Sequence, residues 1–217
     1  MVSVEDTGLR GVKAATTRIS KVDGERGKLL YRGFYIEDLA RESSFEEVAY
    51  LLLHGRLPRA RRLSAFSSEL AASRKLPPAL VRMIERMPLE TPPMSVLQAG
   101  VTLLAGHCPD NGDESKEANQ RKAIRIIAAM PTIVAAWKRR RNGFDPVEPN
   151  EDLTTAANFL YMIKEDVPEP DIARFMDIAM ILHADHEFNA STFTARVVAS
   201  TGADMYAAVS AGVGALS

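Results

Sequence analysis

Apolar residues recur with a helical period along most of the chain. Val48, Leu51 and Leu52 mark one such face, followed by Leu63, Phe66 and Leu70, then Leu80, Ile84 and Met87. Val96, Leu97, Val101 and Leu104 mark the next, and Ile124, Ile127, Ala128, Ile133, Val134 and Trp137 the longest. Boundary signals fall between them. Ser43-Ser44 ahead of Phe45-Glu46-Glu47 supplies an N-cap and first-turn carboxylates, and Gly55 and Pro58 close that helix. Pro77-Pro78 and Thr91-Pro92-Pro93 open two more, since proline costs little in a first turn. The long helix is predicted from about residue 114 to 141, with a kink at Pro131. Asp152 reads as the N-cap of a helix carrying Phe159, Leu160 and Tyr161, and residues 168–171 open another that runs into His183.

The beginning and the end depart from this pattern. Residues 16–22 and 28–32 flank Asp23-Gly24-Glu25-Arg26-Gly27, which predicts two short strands around a glycine-containing turn. The expected fold class is therefore all-α with a short N-terminal β-hairpin. It divides into an N-terminal segment (residues 1–34) and a helical body (residues 35–217). In the last stretch, Ala208 with Gly212 and Ala211 with Ala215 place small residues on helix faces. Such faces admit another helix closely, either within the chain or from a second copy. The chain ends inside an apolar pattern at Leu216, as a cut chain would, and an exposed apolar surface is expected over residues 209–216.

Composition narrows the partners. Lys plus Arg number 27 and Asp plus Glu 28, so no global field favours nucleic acid or an acidic membrane. The run Lys138-Arg139-Arg140-Arg141 suits a helix C-terminus better than a nucleic-acid patch, because no set of base-stacking aromatics accompanies it. Arg59-Ala60-Arg61-Arg62 reads as a solvated helix start rather than a phosphate site. One cysteine excludes an internal disulfide framework, and no window of 18 apolar residues exists. These features lead us to expect a soluble cytoplasmic protein.

The candidate chemistry lies in the run from Ile181 to Arg196. His183 and His186 stand three apart, each beside a carboxylate, and on a helix that spacing would place both imidazoles on one face. Several readings compete. No metal site is expected, because the helix patterns HExxH and HxxEH are absent and Cys108 is remote. Asn189-Ala190-Ser191 fits a glycosylation sequon by chance. The histidines are then either cap or core residues satisfied by backbone, or a face that binds an anion or moves protons. His107 reads plainly as a helix-end residue.

The run His183-Ala-Asp-His186-Glu-Phe-Asn189-Ala-Ser-Thr192-Phe-Thr-Ala-Arg196 closely resembles the signature of citrate synthases and of the related 2-methylcitrate synthases. Further similar segments occur in the same order: Tyr31-Arg32-Gly33-Phe34-Tyr35-Ile36, Phe45 to Leu53, Pro131 to Ala136, and Ala156 to Met162. Relatives commonly carry histidine where this chain has Pro92. The resemblance implies a multi-helical large domain, a homodimer, and condensation of oxaloacetate with acetyl-CoA to give citrate and CoA. It implies that His186 donates a hydrogen bond to the oxaloacetate dicarboxylate, that Asn189 orients the site and that His183 supports it. The CoA thioester would be a substrate, with no permanently bound cofactor. Family members are nearly twice as long, and their catalytic histidines and aspartate fall beyond Ser217. No catalytic residue is therefore expected in this chain. An N-terminal fragment, a short paralogue that dimerises with a complete enzyme, and one half of a split enzyme all fit.

Overall fold

The computed structural model describes residues 15–216. Residues 1–14 of the expected N-terminal segment, and Ser217, lie outside them. Strand β1 (Ser20–Asp23) pairs antiparallel with β2 (Lys28–Tyr31), from Ser20 opposite Tyr31 to Asp23 opposite Lys28. This is the predicted hairpin. A third strand, β3 (Phe34–Tyr35), was not expected; it folds back on β2 to give the order β1-β2-β3. The turn between them is Arg32-Gly33, both at positive φ (51° and 94°), the two-residue geometry that matches strand twist. Glycine takes that conformation freely. Arg32 is held in it while its guanidinium donates to Leu52 O at 2.7 Å.

Ten helices follow among the described residues: α1 (Ile36–Glu42), α2 (Phe45–His54), α3 (Ala60–Ala72), α4 (Pro78–Arg86), α5 (Pro93–Ala105), α6 (Lys116–Arg141), α7 (Thr155–Lys164), α8 (Pro170–Leu182), α9 (Ala190–Ser200) and α10 (Met205–Gly214). Helix α2 opens with a full capping box. Ser44 Oγ accepts the Glu47 N–H at 3.3 Å, and the Glu47 carboxylate accepts the Ser44 N–H at 2.8 Å.

Two predicted helix starts move. Helix α6 begins at Lys116 on a Ser115 cap, because the buried Lys122 ammonium draws Asp113 O (2.6 Å) and the Glu114 carboxylate (3.0 Å) back over the helix. It continues unbroken through Pro131. Helix α7 is capped by Thr154, not Asp152, because Asn158 Oδ1 accepts the Asn150 N–H (2.7 Å) and Asn150 Oδ1 that of Asp152 (2.9 Å), which spends residues 150–152 on a turn.

Three apolar clusters hold these elements. Leu80 and Ile84 of α4, Val96, Val101 and Leu104 of α5, and Ile133 and Trp137 of α6 form the first, with Tyr206 and Val213 of α10. Helix α2 joins the other two. Val48 and Leu51 pack with Tyr31, Ile36, Leu39 and Ile181, while Ala49 and Tyr50 pack with Phe66, Leu70, Ile124 and Ala128.

The small-residue face near the end is occupied within the chain. A Cβ on Gly212 would sit 3.1 Å from Ser191 O and 3.4 Å from Ala195 Cβ of α9, and one on Gly214 only 2.5 Å from the Gln98 amide of α5. The expected apolar surface over 209–216 is accordingly reduced to Ala215 and Leu216, because α5 and α9 cover α10 and bury Val213. Large apolar side chains emerge instead on α8, where Phe175 is 72% exposed, and at Val197 of α9. Gly212→Val should destabilise the fold by about 1–3 kcal/mol, since the atom it meets is backbone and cannot rotate away. A urea midpoint equal to that of the parent would show that α9 yields to the larger side chain.

Candidate functional site

The candidate site is built on the connection between α8 and α9, residues 183–189. Here the helical-face reading is corrected. Helix α8 ends at Leu182, His183 is its C-cap, and His186 lies in the irregular segment before α9. The two histidines therefore do not share a helix face. The physical reason is Tyr31, whose hydroxyl faces Ile181 O and accepts the Asp185 N–H, the two groups that a continuing helix would have joined; beyond His186 the left-handed Glu187 (φ 57°) turns the chain. Asn189 is the N-cap of α9 rather than a further helical position: its Oδ1 accepts the Thr192 N–H at 2.9 Å and the Ser191 hydroxyl at 2.8 Å.

The hairpin clamps this connection from below. Tyr31 is fully buried, and its hydroxyl accepts the Asp185 N–H at 3.1 Å. The same hydroxyl lies 3.0 Å from Asp185 O and 3.1 Å from Ile181 O, and its one proton is donated within this pair of carbonyls. Burial pushes the Tyr31 phenol above its ordinary value of 10, so it stays protonated as that donor. Ser20 Oγ donates to the Asp185 carboxylate and accepts the Glu187 N–H at 3.1 Å. Glu187 returns a bond to the sheet, accepting the Val22 N–H at 2.6 Å. The strained Glu187 backbone is thus fixed on both sides, as left-handed non-glycine residues require.

The side chains above the clamp differ in freedom. His183 is exposed and turned back on its own helix, with Nδ1 2.7 Å from Ala179 O; Nδ1 carries the proton, and Nε2 faces outward. His186 is exposed and makes no side-chain hydrogen bond among the described residues. Asn189 has committed its oxygen to the cap and keeps its amide N–H groups. The Arg196 guanidinium lies over the Phe188 ring at 5.7 Å, which ties α9 to the connection. Among the described residues no group of three or more His, Cys, Asp or Glu could hold a metal ion.

Sequence reasoning missed the clamp. Ser20, Val22 and Tyr31 sit some 150 positions or more from their partners, as the spacing of Tyr31 and Ile181 shows. A strand signal reveals which residues are extended, but not which distant loop their polar tips will meet.

The pattern for the citrate synthase C-terminal domain matches residues 8–217. The chain belongs to the citrate synthase family. The citrate synthase of Haloferax volcanii is 45% identical over 214 residues, which cover 97% of this chain and 56% of that enzyme. The 2-methylcitrate synthase of Mycobacterium tuberculosis is 44% identical over 209 residues, covering 96% and 53%. The crystal structure of citrate synthase from Pyrobaculum aerophilum superposes with a TM-score of 0.92 at 41% identity, covering all of this chain and 59% of that one. The Thermoplasma acidophilum enzyme, solved in ternary complex with carboxymethyl coenzyme A and oxaloacetate, superposes at 0.90 with 28% identity, covering 95% and 54%. The chain spans about half the length of the relatives it matches. Its mainly helical fold with one small sheet is the fold of these neighbours. No described helix is long and apolar enough to cross a membrane.

Proposed function

We propose that this chain forms one wall of the oxaloacetate site of a citrate synthase, which condenses oxaloacetate with acetyl-CoA to give citrate and CoA. One contrast carries the reading: the backbone from Asp185 to Glu187 is bonded to the hairpin, while the His186 imidazole between them is free. A ring on an immobilised backbone donates to a carboxylate at the cost of its own rotamer freedom alone, with no backbone left to order. In this reading His186 binds the dicarboxylate, His183 supports it with Nδ1 spent on α8, and Asn189 sets the start of α9.

Proton abstraction and enol stabilisation need further groups within reach of the same substrate, and these belong to the part of the relatives that this chain does not span. The 217-residue chain alone then forms no citrate. Coenzyme A thioester enters as substrate and no cofactor stays bound. The working form in this proposal is a cytoplasmic homodimer.

A second reading, 2-methylcitrate synthesis from propionyl-CoA, rests on one observation. A citrate synthase of Mycolicibacterium smegmatis and the M. tuberculosis 2-methylcitrate synthase are both 44% identical over 209 residues, so this half of the sequence favours neither.

The test is oxaloacetate-dependent CoA release by the protein purified from its host, with acetyl-CoA and propionyl-CoA compared, beside its intact denatured mass. Release with a mass near twice 23.8 kDa is expected. His186→Ala should raise the oxaloacetate KM at least about tenfold, as for a lost charge-assisted hydrogen bond, with the acyl-CoA KM within about twofold. An unchanged oxaloacetate KM would remove His186 from the site. A 23.8 kDa species without release would favour the non-catalytic paralogue.

A further inference from the structure

The four cations that end α6 divide into two pairs. Arg139 is buried and committed: its guanidinium donates to Asp145 O and pairs with Glu165 at 2.7 Å. Arg140 donates to Glu85 O at 3.1 Å. Lys138 and Arg141 are exposed and have no hydrogen-bond or ion-pair partner among the described residues. Their spacing of three puts them on one side of the helix. Both line the same cavity, of about 300 Å³.

The rest of that cavity is apolar. Pro93 and Leu97 of α5, Ile133, Val134 and Trp137 of α6 and Ile163 of α7 wall it, and no carboxylate lines it. Val134, 38% exposed, is the most accessible of its large apolar residues. The dipole at the C-terminal end of α6 contributes about half a negative charge, so two unpaired cations leave the rim net positive. Taking a methylene group as about the volume of a liquid water, ~30 Å³, the space holds a chain of roughly eight to ten carbons.

We propose that this cavity binds an amphipathic monoanion, an acyl carboxylate whose chain fills the apolar walls and whose head pairs with Lys138 and Arg141. The site is separate from the His186 connection and shares no residue with it. Charge complementarity decides the ligand class: an apolar slot alone would accept any hydrocarbon, and the rim selects the anion.

Trp137, the only tryptophan among these 217 residues, lines the cavity and reports on it. The protein expressed in its own host is titrated with octanoate, and the fluorescence change is corrected with a Trp137→Phe variant. A saturable change is expected. Octylammonium, with the same tail and the opposite head, should require at least tenfold more ligand for the same response. The Lys138→Gln, Arg141→Gln double variant should weaken octanoate at least tenfold and, because both positions are exposed, lower the thermal midpoint only slightly, through the lost favourable charges at the helix end. Absence of a saturable change, including through coverage of the cavity by another part of the protein, overturns the proposal. An equal response to octylammonium, or undiminished binding by the folded double variant, overturns it as well.

Discussion

Tyr31→Ala is expected to lower the unfolding free energy by about 3–5 kcal/mol, the usual range for emptying a buried aromatic position. Tyr31→Phe should cost about 1–3 kcal/mol, because it keeps the ring in the cluster of Ile36, Leu39, Val48, Leu51 and Ile181 and strands the Asp185 N–H and a facing carbonyl. The phenylalanine variant is the informative one. Its loss falls on the 183–189 connection, so the oxaloacetate KM should rise about tenfold or more even where the protein is fully folded, as small misplacements of a binding group do. The pH dependence separates the hydroxyl from the ring. The folded phenol is held above 10 by burial first, so its contribution is complete below pH 10 and is lost as pH rises through the folded value. The parent should therefore lose stability above pH 10 that the Phe variant does not. Urea unfolding from pH 7 to pH 11 measures this. A Phe variant with unchanged oxaloacetate KM would reduce the hairpin to a structural ornament of the site.

Period and punctuation made the helices legible. Ser44, Gly55, Pro78 and Pro93 each stand where a local rule puts them, and their helices begin or end there. The rules failed where a long side chain competed with the cap. Asp152 has the chemistry of an N-cap, yet its N–H is taken by Asn150, and Thr154 caps the helix. Lys122 displaced the start of α6 in the same way, since its buried ammonium claims the residues just ahead of the helix. Strand β3 was missed because two residues carry no period.

At the site, the sequence marked the right run and misjudged its shape. His183 and His186 have helical spacing, but the helix stops at Leu182, because Tyr31, from a strand far away in sequence, meets the Ile181 O and Asp185 N–H that its next turn would have joined. Spacing encodes geometry only while secondary structure is continuous. A polar run such as His-Ala-Asp-His-Glu can end a helix as readily as extend it.

Asp177→Ala should destabilise the protein by about 2–4 kcal/mol, because Asp177 is the joint where α8 meets α1 and α2. Its side chain is 9% exposed; it accepts the Phe45 N–H, the first of α2, at 2.9 Å and the Arg174 guanidinium at 2.6 Å. Arg174 extends the joint to Ser43 O at 2.8 Å and to Ala40 O. Truncation leaves a helix-start donor and a cation without their acceptor, and breaking a buried pair costs about 3–5 kcal/mol. The lower figure applies because the Arg174 side chain is 39% exposed and keeps its carbonyl partners. Asp177→Asn retains an acceptor for Phe45 and should cost less. Burial raises the Asp177 carboxyl above its ordinary 3.8, and the nearby Glu46 adds to that, against the opposing bonds from Phe45 and Arg174. With the folded value raised, the stability from this group is complete below 3.8 and declines as pH rises through the folded value. The gap between parent and Asp177→Asn should therefore be widest near pH 3.5 and narrow toward pH 7, opposite to a carboxylate held mainly by its ion pair. A gap that widens toward neutral pH would assign the joint to the Arg174 pair and not to the desolvated carboxyl.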